Sequence, residues 1–372
     1  MAKLLILSFS PIASDARVLK QVNLFAGQYE LYTCGYGPPP AGVHHHYEIP
    51  ENLPVWRWDR RALITRRYRT AYWRNAAIAF AAAMLPVGEF DAVLANDADS
   101  VGLALSLKAR RGVHVDLHEY APRQKEEVRR WRLFVAPFVR WMCRTFVARA
   151  ASVTTVGAEI ATEYTRRFGF RPAVVINAAP YADLSPHPVS SPIRLVHSGA
   201  GLRNRGLMLM VDAVAATSAP VTFDLYLTPN DPGYLAELAA RAATIDGVTV
   251  HPPVPYSRLI ATLNDYDVGL FVLPPVNFNY RWALPNKLFD FVQGRLGIVI
   301  GPSPEMARIV RERGLGDVSA DFTAASLTSI LDRLTPEQIA QWKQASDGAA
   351  RALSAENQTE GWDRAIRALL TG

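Results

Sequence analysis

The sequence predicts an α/β fold of two doubly wound parallel-sheet domains, and three observations carry that expectation. Apolar runs of strand length alternate with helix-spaced apolar residues along both halves of the chain. A length of 372 residues suits two domains better than one core. Between Pro180 and Ile193 lies "PYADLSPHPVSSP", rich in Pro and Ser and without apolar periodicity, as an interdomain connection is. The expected layout is a first Rossmann-like domain over 1–182, a second over 193–345 facing it across a cleft, and a terminal helical segment over 346–372.

In chain order, "KLLILSF" reads as a buried strand, too short and too weakly flanked to be a signal-peptide core. A helix follows from about Ser14, with Val18, Val22 and Phe25 on one face. "YELYTCGY", "DAVLAND", "VHVDLHE" and "SVTTVG" are the next strands, with a helix through "SVGLALSLKARRG". The triplet "HHH" at 44–46 reads as loop, with no partner carboxylate nearby in sequence and no metal site expected. The second half repeats the pattern through "IRLVHSG", "VTFDLYL", "VTVHPPV", "DVGLFVL" and "GIVIG", with helices through "GLMLMVDAVAA", "YLAELAARAA", "SRLIATLND" and "PNKLFDFVQG". A last helix from about Glu356 to Leu370 carries Trp362, Ile366, Leu369 and Leu370 on one side and is expected to pack back on the first domain.

The composition is that of an ordinary folded chain. Cys34 and Cys143 are far apart and form no CxxC, so neither a disulfide framework nor a zinc site is expected, and a reducing cytoplasm fits. "AAIAFAAAMLPVG" falls well short of the roughly 20 apolar residues that span a bilayer. The charge is uneven: residues 1–180 hold 24 Lys or Arg against 15 Asp or Glu, and residues 181–372 hold 16 against 19. The positive first half suggests an anionic surface as partner.

Ligands of open parallel sheets bind beyond the carboxyl ends of the strands, which singles out four loops. In "SFSPIASDARV", Ser14 or Asp15 caps a helix, and Asp15 can also face a ligand. In "LANDADSVG", Asn96, Asp97 and Asp99 are placed to accept from sugar hydroxyls; Asp99 or Ser100 can instead serve as a helix cap, and Asp97 is less easily explained that way. "VDLHEYAP" runs into His118 and Glu119; a His at a strand end is more often structural, but beside Glu at the carboxyl edge of a parallel sheet it can act as donor or acid/base. "LVHSGAGLRNRGLMLM" places His197, Ser198 and Gly199 with Arg203 and Arg205 ahead of a helix, a cradle for an anion such as a diphosphate. Neither GxGxxG nor a P-loop occurs, which disfavours the usual nicotinamide and ATP enzymes.

Taken in order with "ALPNKLFDF" at 283–291, these loops resemble glycosyltransferases of the GT-B fold, most of all family 4. The resemblance covers nearly the whole chain, through "SDARVLKQ", "NDADSVGLAL", "DLHEYAP", "SGAGLRNRGL", "YDVGLFVLP", "LPNKLFDFVQGRLGIVIG" and "SPEMARIV". It implies transfer of a sugar from a UDP- or GDP-type nucleotide-sugar, bound by the second domain, to a glycan or lipid-linked acceptor bound by the first. The setting it implies is cell-surface polysaccharide or glycoconjugate synthesis, with no catalytic metal or other cofactor and usually with retained anomeric configuration. By resemblance Arg205 and Lys287 neutralise the donor diphosphate, Arg203 assists, and His118 lies by the donor sugar, so His118, Arg205 and Lys287 form the catalytic set. His197, Ser198, Gly199 and Asn286 join the donor site, and Asp15, Asp97 and Glu119 are assigned to the acceptor side. Asp290 joins the donor site where the family carries a ribose-binding glutamate, and Trp282 stands where it carries another; Trp282 can stack on a donor sugar or base, with Asn279 and Arg281 of "NFNYR" as polar contacts, or simply pack the loop. Those two replacements leave an inactive GT-B scaffold as the alternative. Pro285 fixes the chain ahead of the helix, and Asp290, about one turn beyond Lys287, is expected on the same side.

"WRWDRRALITRRYRTAYWRN" and "RQKEEVRRWRLFVAPFVRWMCRTFVARA" alternate Arg with aromatic residues. That composition fits helices lying on an anionic membrane and a peripheral location. A solvated basic face over an aromatic core is the alternative; nucleic acid is disfavoured, since no such module is recognisable.

Overall fold

The computed structural model describes residues 1–371. The chain forms two compact units, one of Met1–Ile176 with 277–279 and the chain from Thr359 onward, the other of Asn177–Val276 and Tyr280–Gln358.

The first unit holds strands β1 (Lys3–Pro11), β2 (Glu30–Tyr36), β3 (His45–Ile49), β4 (Ala92–Asn96), β5 (Gly112–Leu117), β6 (Ser152–Thr155) and β7 (Ala173–Val174). They lie in the order β3-β2-β1-β4-β5-β6-β7, every pair parallel. Leu4 to Leu7 are fully buried, which is why the run is continuously apolar where a half-exposed strand would alternate. Each such side chain contributes about 1.5–3 kcal/mol of burial. The helix Ala16–Phe25 packs Val18, Val22 and Phe25 on this layer, capped by Asp15, whose carboxylate accepts from the Arg17 and Val18 amides. From the terminal helix Ala355–Thr371, Trp362 and Ile366 enter the same core beside Leu4, Val22 and Val175, as the apolar face of that helix predicts.

Two residues of the "HHH" triplet are strand and not loop, while His44 stays outside the strand. His45 begins edge strand β3, paired with Tyr32, and His46 sits 2.8 Å from Thr33 Oγ1 and 3.1 Å from the Gly37 carbonyl. An edge strand with one buried residue, Ile49, leaves no alternation to read.

The second unit repeats the plan with β8 (Ile193–Ala200), β9 (Val221–Thr228), β10 (Val248–His251), β11 (Val268–Phe271), β12 (Gly297–Ile300) and β13 (Gly316–Val318). Their order is β10-β9-β8-β11-β12-β13, again parallel. In both sheets the winding reverses beside the first strand, between β1 and β4 and between β8 and β11, where doubly wound sheets open for ligands. The Pro/Ser-rich stretch lacks helix and strand but is tied to this unit: the Ala182 amide donates to Gln293 Oε1, Asn264 to the Ser185 carbonyl, and the Ser190 amide to Asp267 Oδ2. Asp267 also forms a buried ion pair, 3.2 Å, with Lys343 of the helix Pro336–Ala350.

Candidate functional sites of the two units

In the second unit the chemistry gathers at the β8–β11 reversal. His197, near the end of β8, is buried, and burial followed by the charges of Lys287 and Arg205 pushes its pKa down to about 3. The ring is therefore neutral. Its Nδ1–H donates to the Leu270 carbonyl at 2.9 Å, leaving Nε2 an acceptor that is buried without a hydrogen-bond partner. Gly199 follows at φ +152°, and a Cβ there would lie 2.1 Å from Lys287 Nζ and 2.5 Å from its Cε. The backbone conformation favours glycine, and a side chain here would displace the end of Lys287 from its place.

Lys287 is placed by the helix Asn286–Gln293, which buries Leu288, Phe289, Phe291 and Val292. Phe291 lies directly over Gly269 of β11, where a Cβ would come within 2.4 Å of the ring, so the helix sits close on the sheet. The N-cap position is Pro285, with no side-chain cap. Burial, then the nearby Arg205 charge, pushes the Lys287 ammonium down to about 8 against the opposing pull of Asp290. Lys287 Nζ stands 5.5 Å from the Phe271 ring centre, and the Arg205 guanidinium 4.8 Å from that of Tyr280. Arg205 Nε and Ser303 Oγ are buried without a hydrogen-bond partner. Among the described residues neither Arg205 nor Lys287 forms a salt bridge.

His197, Gly199, Arg205, Lys287 and Asp290 are therefore brought together, with Ser198 buried beside them in β8 and Asn286 opening the lysine's helix. Asp290 is 4 % exposed. Arg203 turns elsewhere, donating to both Glu237 oxygens at 2.6 and 3.2 Å over the Tyr234 ring. Trp282 is half-buried with the Arg281 guanidinium 5.4 Å from its ring centre. Ser303, which follows the end of β12, obeys the same strand-end rule as these residues, yet sequence reasoning missed it.

In the first unit, His118 has its backbone amide on Asp97 Oδ1 at 3.1 Å and its Nδ1 3.3 Å from Asp97 Oδ2. Its Nε2 is 2.9 Å from Asn96 Oδ1 and 3.5 Å from Asp116 Oδ2. Asp116 is fully buried, and although burial alone would raise it, the bidentate Arg17 pair (2.7 and 2.8 Å), His118 and Thr154 hold it well below the usual carboxylate range. Asp97 takes a left-handed φ of +61°, a conformation that aspartate adopts more readily than most non-glycine residues but still at some cost. The helix Asp97–Ser106 starts at that residue, with Asn96 as cap position, so neither Asp99 nor Ser100 caps it. Glu119 accepts from Gln124 and, at 3.0 Å, from Asn279 Nδ2, while Asn279 Oδ1 receives the Tyr120 amide.

The cysteines are free and buried, each thiol pushed up to about 12 by burial. Among the described residues no three His, Cys, Asp or Glu side chains group as metal ligands, and no helix is long and apolar enough to cross a membrane.

No family model and no curated protein matches the chain. Solved structures do. The chain is similar to HepE of Anabaena in complex with UDP-glucose, at 14 % identity over 99 % of this chain and 100 % of that one, with a TM-score of 0.69. It is similar to sucrose-phosphate synthase from Thermosynechococcus elongatus, at 13 % identity over all of both chains and a TM-score of 0.70. It is also similar to α,α-trehalose 6-phosphate synthase from Burkholderia multivorans, at 12 % identity over 100 % of this chain and 99 % of that one, TM-score 0.69. These likenesses establish the GT-B fold.

Proposed function

We propose that the protein is a glycosyltransferase that binds a nucleotide-sugar of UDP or GDP type on its second unit and delivers the sugar to a glycan or lipid-linked acceptor held by the first. One observation carries the reading: among the described residues Lys287 and Arg205 form no salt bridge, and the nearby Arg205 charge adds to burial in disfavouring the charged form of Lys287. A nucleoside diphosphate supplies the missing negative charge. Because that charge grows as the glycosidic bond breaks, two fixed cations stabilise the departing diphosphate more than the bound donor, as catalysis requires. His197 Nε2 is available to accept from a donor hydroxyl, and Arg205 Nε and Ser303 Oγ can donate to phosphate oxygens.

HepE, the fold relative cited above, binds UDP-glucose, which favours the UDP type. Metal-independent, retaining transfer by His118, Arg205 and Lys287, in cytoplasmic cell-surface glycan synthesis, completes the proposal on the strength of the family 4 resemblance. A peripheral membrane contact belongs to it as well. Trp56, Ile64 and Leu133 are 72, 59 and 55 % exposed among Arg57, Arg60, Arg61, Arg129, Arg130 and Arg132. Trp58, Tyr68 and Trp141 pack on buried Phe138, so that part of the aromatic pattern is core.

The test is a thermal-shift screen with nucleoside diphosphates and nucleotide-sugars, followed by donor hydrolysis. A ligand at 100 times its Kd adds roughly 2.7 kcal/mol. Stabilisation with slow hydrolysis supports the transferase, and stabilisation without turnover on any acceptor supports an inactive scaffold. Indifference to every nucleoside diphosphate removes the transferase and favours the scaffold. Sedimentation with liposomes that is insensitive to anionic lipid removes the membrane contact.

A further inference from the structure

The first unit contains a cavity of about 540 Å³ at the carboxyl edge of its sheet, within the range of small-ligand sites, about 300–1,000 Å³. Trp56, Trp58 and Trp131 contribute to its walls together with three carboxylates, Asp97, Asp99 and Glu119. The carboxylates follow β4 and β5, and Trp56 and Trp58 lie in the stretch between β3 and β4. We propose that this cavity receives a sugar ring bearing no phosphate or other anionic group, and that the carboxylates exclude phosphorylated sugars. The proposal rests on the glycosyltransferase reading, whose acceptor side it specifies.

Three features of the cavity support this. Indole faces offer flat apolar surface to the C–H face of a pyranose, and carboxylates accept from its hydroxyls, two needs of a neutral sugar met together. Asp97 is already oriented to accept such hydroxyls, because its carboxylate is fixed by the His118 amide and ring while its side chain is 41 % exposed, which leaves its oxygens open to a ligand. Its left-handed backbone is strain of the kind that persists where a site demands it. The charge balance then sets selectivity. Against three carboxylates the lining itself offers one ammonium, Lys125; Arg57, Arg60, Arg61, Arg129, Arg130 and Arg132 of the same segments are not among the lining residues, so a phosphate dianion inside the cavity meets net repulsion from its walls. Asp99 adds a pH dependence: burial and the Asp97 charge raise it to about 7, so repulsion strengthens as pH rises through 7.

The test uses the full chain at pH 8 and the methyl glycosides of glucose, mannose, galactose and N-acetylglucosamine, each against the corresponding sugar 6-phosphate. Binding is read by ligand-observed NMR and tryptophan fluorescence, and UDP is titrated separately by calorimetry. At least one neutral glycoside should bind at least tenfold more tightly than its 6-phosphate. Asp97→Asn should shrink that ratio, and Trp56→Ala, at a largely exposed position, should weaken the neutral ligand while leaving the fold intact. Equal or tighter binding of the 6-phosphates overturns the proposal. So does failure of every neutral glycoside in a chain that still binds UDP, a result that leaves the transferase reading standing. Neutral-sugar binding with the stated discrimination, in a chain that ignores all nucleoside diphosphates, keeps the cavity and removes the donor site.

Discussion

Replacing Lys287 by Met should make the protein more stable and less able to bind its ligand. The ammonium stands at about 8 against an ordinary value of 10.5, and at 1.36 kcal/mol per pH unit its charged form costs about 3 kcal/mol. Methionine keeps an apolar stem near Phe271 and removes the charge. The sign follows from proton counting. Between about pH 8 and 10.5 the folded chain has shed a proton that the unfolded chain keeps, so wild-type stability rises with pH across that window. Below pH 8 both states are protonated and the cost is constant. Lys287→Met should therefore exceed the wild type by up to about 3 kcal/mol at pH 7, or about 6–12 °C in Tm at 2–4 °C per kcal/mol, with the gap closing towards pH 10.5. Calorimetric unfolding of both chains from pH 7 to 10 reads this directly. A variant less stable than the wild type at pH 7, or a gap that does not change with pH, would refute the picture of a strained, ligand-seeking cation.

Two further substitutions probe the same unit. Gly199→Ala puts a methyl group where Lys287 Nζ lies and strains the backbone, so UDP affinity by calorimetry should fall at least tenfold; unchanged affinity would mean that the ammonium does not rest there when ligand binds. Lys343→Met strips the counter-ion from buried Asp267 and should cost about 3–5 kcal/mol in urea unfolding, whereas a cost below about 1 kcal/mol would show that the Ser190 and Arg194 amides suffice to hold the carboxylate.

The fold was legible where burial on both faces produced unbroken apolar runs, as at Leu4–Leu7 and in "GIVIG". Strands β3, β7 and β13 were not, because half-exposed histidines, two exposed residues and a Gly-Asp-Val triplet carry no pattern. Lys287 stood out since a lysine ahead of an otherwise apolar helix asks for a reason, and the strand-end rule reached His197 and Gly199. What local pattern could not give is pairing across distance. Arg17 meets Asp116 ninety-nine residues away, Asn279 meets Glu119 across 160, and Arg203, two residues from Arg205, is held by Glu237. The tryptophans that line the first unit's cavity read in sequence as part of a basic aromatic stripe, because convergence on three carboxylates is a property of the fold.

The central claim, that Lys287 and Arg205 await a nucleoside diphosphate, is tested most directly by the protons that accompany binding. A diphosphate beside Lys287 raises its pKa, and near pH 8 about half of the lysines are neutral beforehand. Calorimetric titration of UDP at pH 8, in buffers of different ionisation enthalpy, should show uptake of about half a proton per UDP bound, lost in Lys287→Met. UDP binding without proton uptake, or uptake that persists in Lys287→Met, would contradict the account.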